Sequence, residues 1–150
     1  MSNIGENIGG GILFYSGATY GLVAATRDID IAVNWGLYGT EVLGTGTAIG
    51  TGQANTTAII NTFSGYTAAK ACDDLVLSGQ SDWYLPSKDE LAELYASGKT
   101  YLTGLDNYNN YWTSSQSTPY TAHIQYFSNG DQSELGGKNQ AYKIRPIRTL

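Results

Sequence analysis

The side chains that could do covalent, acid–base or metal chemistry here are one cysteine, one histidine and a few groups of carboxylates. Cys72 falls among Ala68, Ala69, Leu75 and Val76 at helical spacing, so it reads as a small buried hydrophobe. A nucleophilic thiol needs a base beside it, and the lone histidine, His123, is remote in sequence. Asp73 with Asp74, or Asp89 with Glu90 and Glu93, could be offered as a glycosidase pair. That chemistry needs two carboxyls facing across a substrate, roughly 5 or 6.5–9.5 Å apart. Asp89, Glu90 and Glu93 instead sit in the first turns of an expected helix, where the dipole favours negative charge. Asn129, Asp131 and Glu134 cluster oxygen ligands and invite calcium, but without the twelve-residue periodicity of an EF-hand loop. Nothing near His123 has metal-ligand spacing, so it reads as an outward polar group that hydrogen-bonds ligand or water. Gly44-Thr45-Gly46-Thr47 lacks the following lysine and the strand-to-helix frame of a phosphate loop. No cofactor and no enzymatic activity are expected.

A surface is the stronger candidate. Ala122, Ile124 and Tyr126 alternate with Thr121, His123, Gln125 and Phe127, the period-two mark of a half-buried strand. The alternation sends Ala122, Ile124 and Tyr126 inward and His123 and Gln125 outward. Gln116, Ser117, Thr118, Tyr120, His123, Gln125, Phe127, Asn129, Gln132, Glu134, Lys138 and Gln140 are therefore the expected ligand-binding set. A solvated sheet face with no partner stays open as the alternative.

Elements on either side must hold that face. Ser87 and Glu90 form a capping-box pattern that starts a helix running to about Ser97, with Leu91, Leu94 and Tyr95 on one face. Gly98 suits a left-handed stop. Asn55 or Thr56 can start a helix through Ile59, Ile60 and Phe63, and Thr67 can cap another as far as Val76. Ile12–Tyr15 and Gly21–Ala25 read as the first two strands, and Gly39 to Gly52 as loop. Asn129-Gly130 signals a type I′ hairpin, and Gly136-Gly137 a further turn before a closing strand from Ala141 to Arg148. The fold class is α+β, an antiparallel sheet with paired terminal strands and two to three helices. Residues 1–8 read as a short flexible or docking leader and 9–150 as one domain.

A length of 150 residues suits that single domain, and 41% hydrophobic residues supply a core. Only 14% are charged, while nineteen glycines and twelve tyrosines fill the difference. Such a mix suits loops and aromatic contact surface, because tyrosine covers area at small rotamer cost. A net charge of -5 with scattered cations argues against nucleic acid and anionic membranes as partners. No apolar run is long enough to span a bilayer, and the first residues lack a signal-peptide pattern. A single cysteine excludes an internal disulfide.

Several stretches together resemble the DUF1566 (Lcl C-terminal) domains. These are Gly9–Tyr15, Tyr20–Ala25, Ala48–Thr56, the Trp83–Leu91 block, Trp112-Thr113-Ser114-Ser115 and Arg145-Pro146-Ile147-Arg148. That family is similar to C-type-lectin-like domains and to the variable proteins of diversity-generating retroelements. The resemblance implies a C-type-lectin-like fold whose 111–140 region is exposed and contacts ligand, and an adhesin or phage receptor-binding role. The partner would be a host cell-surface glycan or protein, and the setting a virion or extracellular surface. A homotrimer or attachment to a larger fibre would add avidity. Calcium motifs of lectin type are missing. Formylglycine-generating oxidases carry a segment similar to Trp83–Glu90, but they use a cysteine pair. A virion decoration or assembly protein is the alternative function, with such an oxidase as a second, less favoured one. Arg145 and Arg148 are expected to be structural, paired with acidic groups such as Asp82.

Overall fold

The computed structural model describes residues 3–150. The chain runs through β1 (Asn7–Ile8), β2 (Gly11–Ser16), β3 (Gly21–Ala24), α1 (Gly52–Thr62), α2 (Ala68–Asp73) and α3 (Lys88–Glu93). It continues through β4 (Asn110–Gln116), β5 (Thr121–Tyr126), β6 (Gln132–Gly137) and β7 (Ile147–Thr149). Two antiparallel sheets result, one ordered β1-β2-β3-β7 and the other β4-β5-β6. The class is α+β, as expected. The last strand does join the sheet of the first three, but β7 pairs with β3 rather than with β2, matching Leu22 to Thr149 and Ala24 to Ile147. Met1 and Ser2 of the expected leader lie outside the described residues. Its other residues lie against β2: Gly5 donates to the Leu13 carbonyl at 2.8 Å, Leu13 donates to the Glu6 carbonyl, and β1 pairs with β2.

Local signals set the helices. The Ser87 hydroxyl accepts the Glu90 amide hydrogen while the Glu90 carboxylate accepts that of Ser87, so both halves of the capping box are made. Thr67 caps α2 by accepting from the Lys70 amide, but α2 ends at Asp73 and leaves Val76 exposed. α1 starts at Gly52, ahead of the expected Asn55 or Thr56, because those two side chains are buried and bonded elsewhere. After α3 the backbone loosens into a π turn over Leu94–Gly98 and then a 3-10 turn over Lys99–Tyr101. Gly98 is not a left-handed stop: its φ is -114°. Its lack of a side chain serves close packing instead, since a Cβ would lie 2.8 Å from that of Phe14.

The apolar residues fall into two clusters. In one, Trp35, Ile59, Phe63, Cys72, Leu85, Trp112, Ala122 and Ile124 pack between β4–β5 and the helices α1 and α2. In the other, Phe14, Leu22, Tyr84, Leu91, Leu94, Tyr111, Phe127 and Ile147 join the first sheet to α3. Trp35 and Trp112 tie the first cluster to backbone, donating to the carbonyls of Thr113 and Val33 at 2.8 Å each.

The long glycine-rich loop is held by buried polar groups. Asn55 accepts from the Gly46 amide and donates to its carbonyl, and Ser115 donates to that same carbonyl. Ser87 donates to Ala48, and Glu90 accepts the Gly50 amide. Arg148 grips Asp82 at 2.6 and 3.1 Å, the partner expected for this pair of arginines. Arg145 is buried and bonds Asp28 at 2.6 Å together with the carbonyls of Ala25 and Thr103.

Candidate binding face

β5 is the central strand of the second sheet, so its two sides meet different neighbours. Ala122 and Ile124 point into the first cluster beside Trp112, as the alternation predicts. His123, Gln125 and Phe127 share the opposite side, but that side is largely roofed over. Phe127 is fully buried, with ring centroids 5.5 Å from Tyr95 and 4.8 Å from Tyr111. Gln125 is 2% exposed; it donates to the Gly130 carbonyl and accepts from Gln132. The outward placement expected for Gln125 and Phe127 is therefore corrected: α3 and the Tyr95 turn cover this end of the strand. Tyr126, expected inside, is half-buried.

Lys138 is a second correction. Its side chain is buried, with Nζ donating to the Thr40 carbonyl at 2.8 Å and to Gln116 Oε1 at 2.6 Å. The ammonium lies 4.7 Å from the Trp35 ring centre, and burial lowers its pKa to about 8. Gln116 is also a staple, exchanging bonds with the backbone of Val42 in both directions. Gly136 and Gly137 belong to β6 instead of a turn, paired with Ala122 and Thr121, and a Cβ on Gly136 would meet Ile124 at 2.6 Å. The hairpin at Asn129-Gly130 is not type I′ either. Gly130 has φ +84° but Asn129 does not have positive φ; Gly130 donates to the Tyr126 carbonyl across a longer loop.

The remaining members form two joined patches. His123, Gln132 and Glu134, together with Lys88 and Ser133, line an open cavity of about 310 Å³. Gln132 is fixed by donating to the carbonyl of Lys88 and to Gln125 Oε1. Burial lowers the His123 pKa and Lys88 adds to the effect, against opposing pulls from Glu134 and Asp89. The imidazole is thus neutral at pH 7, able to donate from one nitrogen and accept at the other. The second patch is the β4–β5 turn, where Ser117 and Thr118 bond Thr121 and leave Tyr120 half exposed. Tyr120 packs on Tyr38 with centroids 4.9 Å apart. Ser117 donates to the Glu134 carbonyl at 2.6 Å, which ties the turn to the cavity rim. Asn129 and Gln140 are exposed but stand in the turns after β5 and β6, apart from both patches. Lys88 at the start of α3, Ser133 in β6 and Tyr38 ahead of the glycine-rich loop are additions; no local pattern marked them as neighbours of the face.

This arrangement offers neutral donors and acceptors, one ammonium, one carboxylate and an aromatic pair, all suited to hydrogen bonding and stacking. Cys72 is fully buried and its thiol is pushed well up by that burial, so it is a poor nucleophile. Among the described residues no three of His, Cys, Asp and Glu converge as metal ligands. Asn129 and Asp131 bond each other through both side chain and backbone.

Residues 28–148 match the Lcl C-terminal domain. This chain belongs to that family. No curated protein matches it. Among solved structures, this Lcl C-terminal domain is similar to a fimbrial protein from Bacteroides ovatus ATCC 8483, with a TM-score of 0.59 and 18% identity. The match covers 85% of this chain but only 35% of that protein, and at such identity it speaks for the fold alone. No helix among the described residues is long and apolar enough to cross a membrane.

Proposed function

We propose that this Lcl C-terminal domain is a non-enzymatic recognition module, with a C-type-lectin-like arrangement, that binds a cell-surface glycan or protein. Membership of the family and the likeness to a protein titled fimbrial support a place on an outer surface, as part of an adhesin or a phage receptor-binding tip. The observation that carries the proposal is the contiguity of the two patches. The His123–Gln132–Glu134 cavity and the Tyr120 turn are joined by the Ser117–Glu134 bond on a rigid sheet. Binding there is shallow and multipoint. Tyr38 and Tyr120 take the apolar side of a ligand, while His123, Gln132 and Ser133 satisfy its polar groups without a metal. Single contacts of this kind are weak, so several copies on one fibre would strengthen attachment.

The test is attachment of soluble protein to candidate host cells, with and without a combined Tyr120→Ala, His123→Ala and Gln132→Ala substitution. Attachment should fall at least tenfold in the triple variant; unchanged attachment refutes the proposal. Leu135, 74% exposed on the edge strand β6, favours one other reading, a virion or fibre assembly protein whose sheet packs on neighbours. Soluble protein would then bind particles and not cells.

A further inference from the structure

A second concavity lies away from the cavity at His123, between residues 34–37 and the turn that joins α1 to α2. Its walls are locked to each other and to the sheet. The Asn34 carbonyl accepts the Ala68 amide at 2.9 Å, and the Trp35 amide bonds the Lys138 carbonyl at 3.0 Å. Phe63 forms the floor, 7% exposed, pressed so closely on Gly36 that a Cβ there would lie 2.4 Å from the ring. Leu37 and Tyr66 stand on either side, 64% and 51% exposed, two large apolar side chains that the fold leaves in water. Asn34, Ser64, Gly65 and Thr67 complete a lining of about 250 Å³.

Three properties define what fits. None of the lining residues is ionised at neutral pH, so the occupant is uncharged. The volume lies below the roughly 300–1,000 Å³ of sites for drug-sized ligands, so it holds one ring. The floor is apolar, while the rim carries the amide of Asn34, held only by a 3.4 Å bond to Gly36, and the exposed hydroxyls of Ser64 and Tyr66. An apolar face below and several hydrogen-bonding groups at the edge match the two chemical sides of a sugar ring. The slot also adjoins the candidate face along the chain: Leu37 lines it, and the next residue, Tyr38, packs on Tyr120.

We propose that the Leu37–Phe63–Tyr66 slot is a subsite for one neutral hexopyranose unit of an extended glycan that continues over Tyr38 and Tyr120. The ring's C–H face rests on Phe63 and Tyr66, and its hydroxyls bond Asn34, Ser64 and the Tyr66 phenol. This rests on the glycan form of the proposed function. Burial, with help from Asp74, raises the Tyr66 pKa, so the phenol stays a hydrogen donor. The rigid walls mean little ordering is needed on binding.

Amide chemical shifts of the whole protein, followed while methyl β-glucopyranoside or methyl β-galactopyranoside is added, test the subsite. Saturable shifts at Gly36, Ser64, Gly65 and Tyr66 are expected with at least one glycoside. Tyr66→Ala and Leu37→Ala, both at exposed positions, should each weaken that glycoside about tenfold, while Leu135→Ala leaves it unchanged. No saturable shift at these amides with either glycoside, or equal affinity in the Tyr66 variant, overturns the subsite. Shifts with N-acetyltyrosinamide alone also overturn it, in favour of an aromatic side chain of a protein partner. Failure of the proposed function is read separately, as unaltered cell attachment by the Tyr120, His123 and Gln132 triple variant.

Discussion

The Glu90 carboxylate accepts the Gly50 amide at 2.9 Å across forty residues of chain, while its other oxygen accepts the Ser87 amide at 2.8 Å. One buried side chain therefore caps α3 and pins the glycine-rich loop above it. Burial raises the Glu90 pKa above the usual 4.5, against the lowering effect of the amides of Ser87, Gly50 and Gly52. A raised folded-state value makes its contribution complete below the unfolded pKa and progressively lost as pH rises through the folded one. Glu90→Gln should cost about 1–2 kcal/mol near pH 4, because one acceptor oxygen remains for two amides. The deficit should shrink as pH rises, since the variant has no buried charge to form. Urea titrations at several acidic pH values check both the size and the trend.

Lys138 gives the opposite slope at alkaline pH. Its folded value, about 8, lies below the usual 10.5, so the unfolded chain binds more protons in that window. Stability should rise between those two values, at up to about 1.4 kcal/mol per pH unit. Lys138→Met should remove the rise. The phenols of Tyr84 and Tyr111, both raised above the usual 10.0 chiefly by burial, reverse the trend at higher pH. They stay protonated when folded while unfolded tyrosine ionises, so stability falls there. Denaturant midpoints across this range would show a maximum in the wild type and only the fall in the methionine variant.

Two arginines in one closing segment should behave differently on truncation. The Arg145 side chain is fully buried and its partner Asp28 is 11% exposed; Asp28 also accepts from the Tyr111 hydroxyl. Arg145→Ala leaves that carboxylate buried without its cation and should cost about 3–5 kcal/mol. Asp82, opposite Arg148, is 56% exposed, so Arg148→Ala should cost about 1 kcal/mol or less. Equal losses in the two variants would contradict the assignment.

Stability and binding should also separate along β5 and its flanking turns. Phe127→Ala empties a site between Tyr95 and Tyr111 and should cost about 3–5 kcal/mol. Tyr120→Ala, at an exposed turn, should stay within about 0.5 kcal/mol while weakening attachment. Thermal unfolding of both variants, read beside cell attachment, makes the comparison.

Features written in short stretches were legible before any coordinates. Ser87 with Glu90, and Thr67 ahead of an alanine-rich turn, are caps made between residues three apart, so neighbours in the chain suffice to specify them. The alternation in β5 likewise placed Ala122 and Ile124 on one side and His123 with Gln125 on the other. The family resemblance, carried by the Trp83–Leu91 and Trp112–Ser115 blocks, rested on residues that serve the scaffold. Ser114 and Ser115 bond the glycine-rich loop through Asn55 and Gly46.

The sequence by itself determined the α+β class, the caps of α2 and α3, the two sides of the central strand and the sparsely charged, tyrosine-rich composition. Periodicity says which residues share a side; it cannot say what covers that side. Only the tertiary structure decided that α3 and Tyr95 roof the strand at Gln125 and Phe127 but leave His123 half open. Contacts across long stretches of chain likewise drew Lys138 inward over Trp35 and set Tyr38 against Tyr120. Such contacts depend on how separate elements pack together, and no local pattern records the partner each will meet.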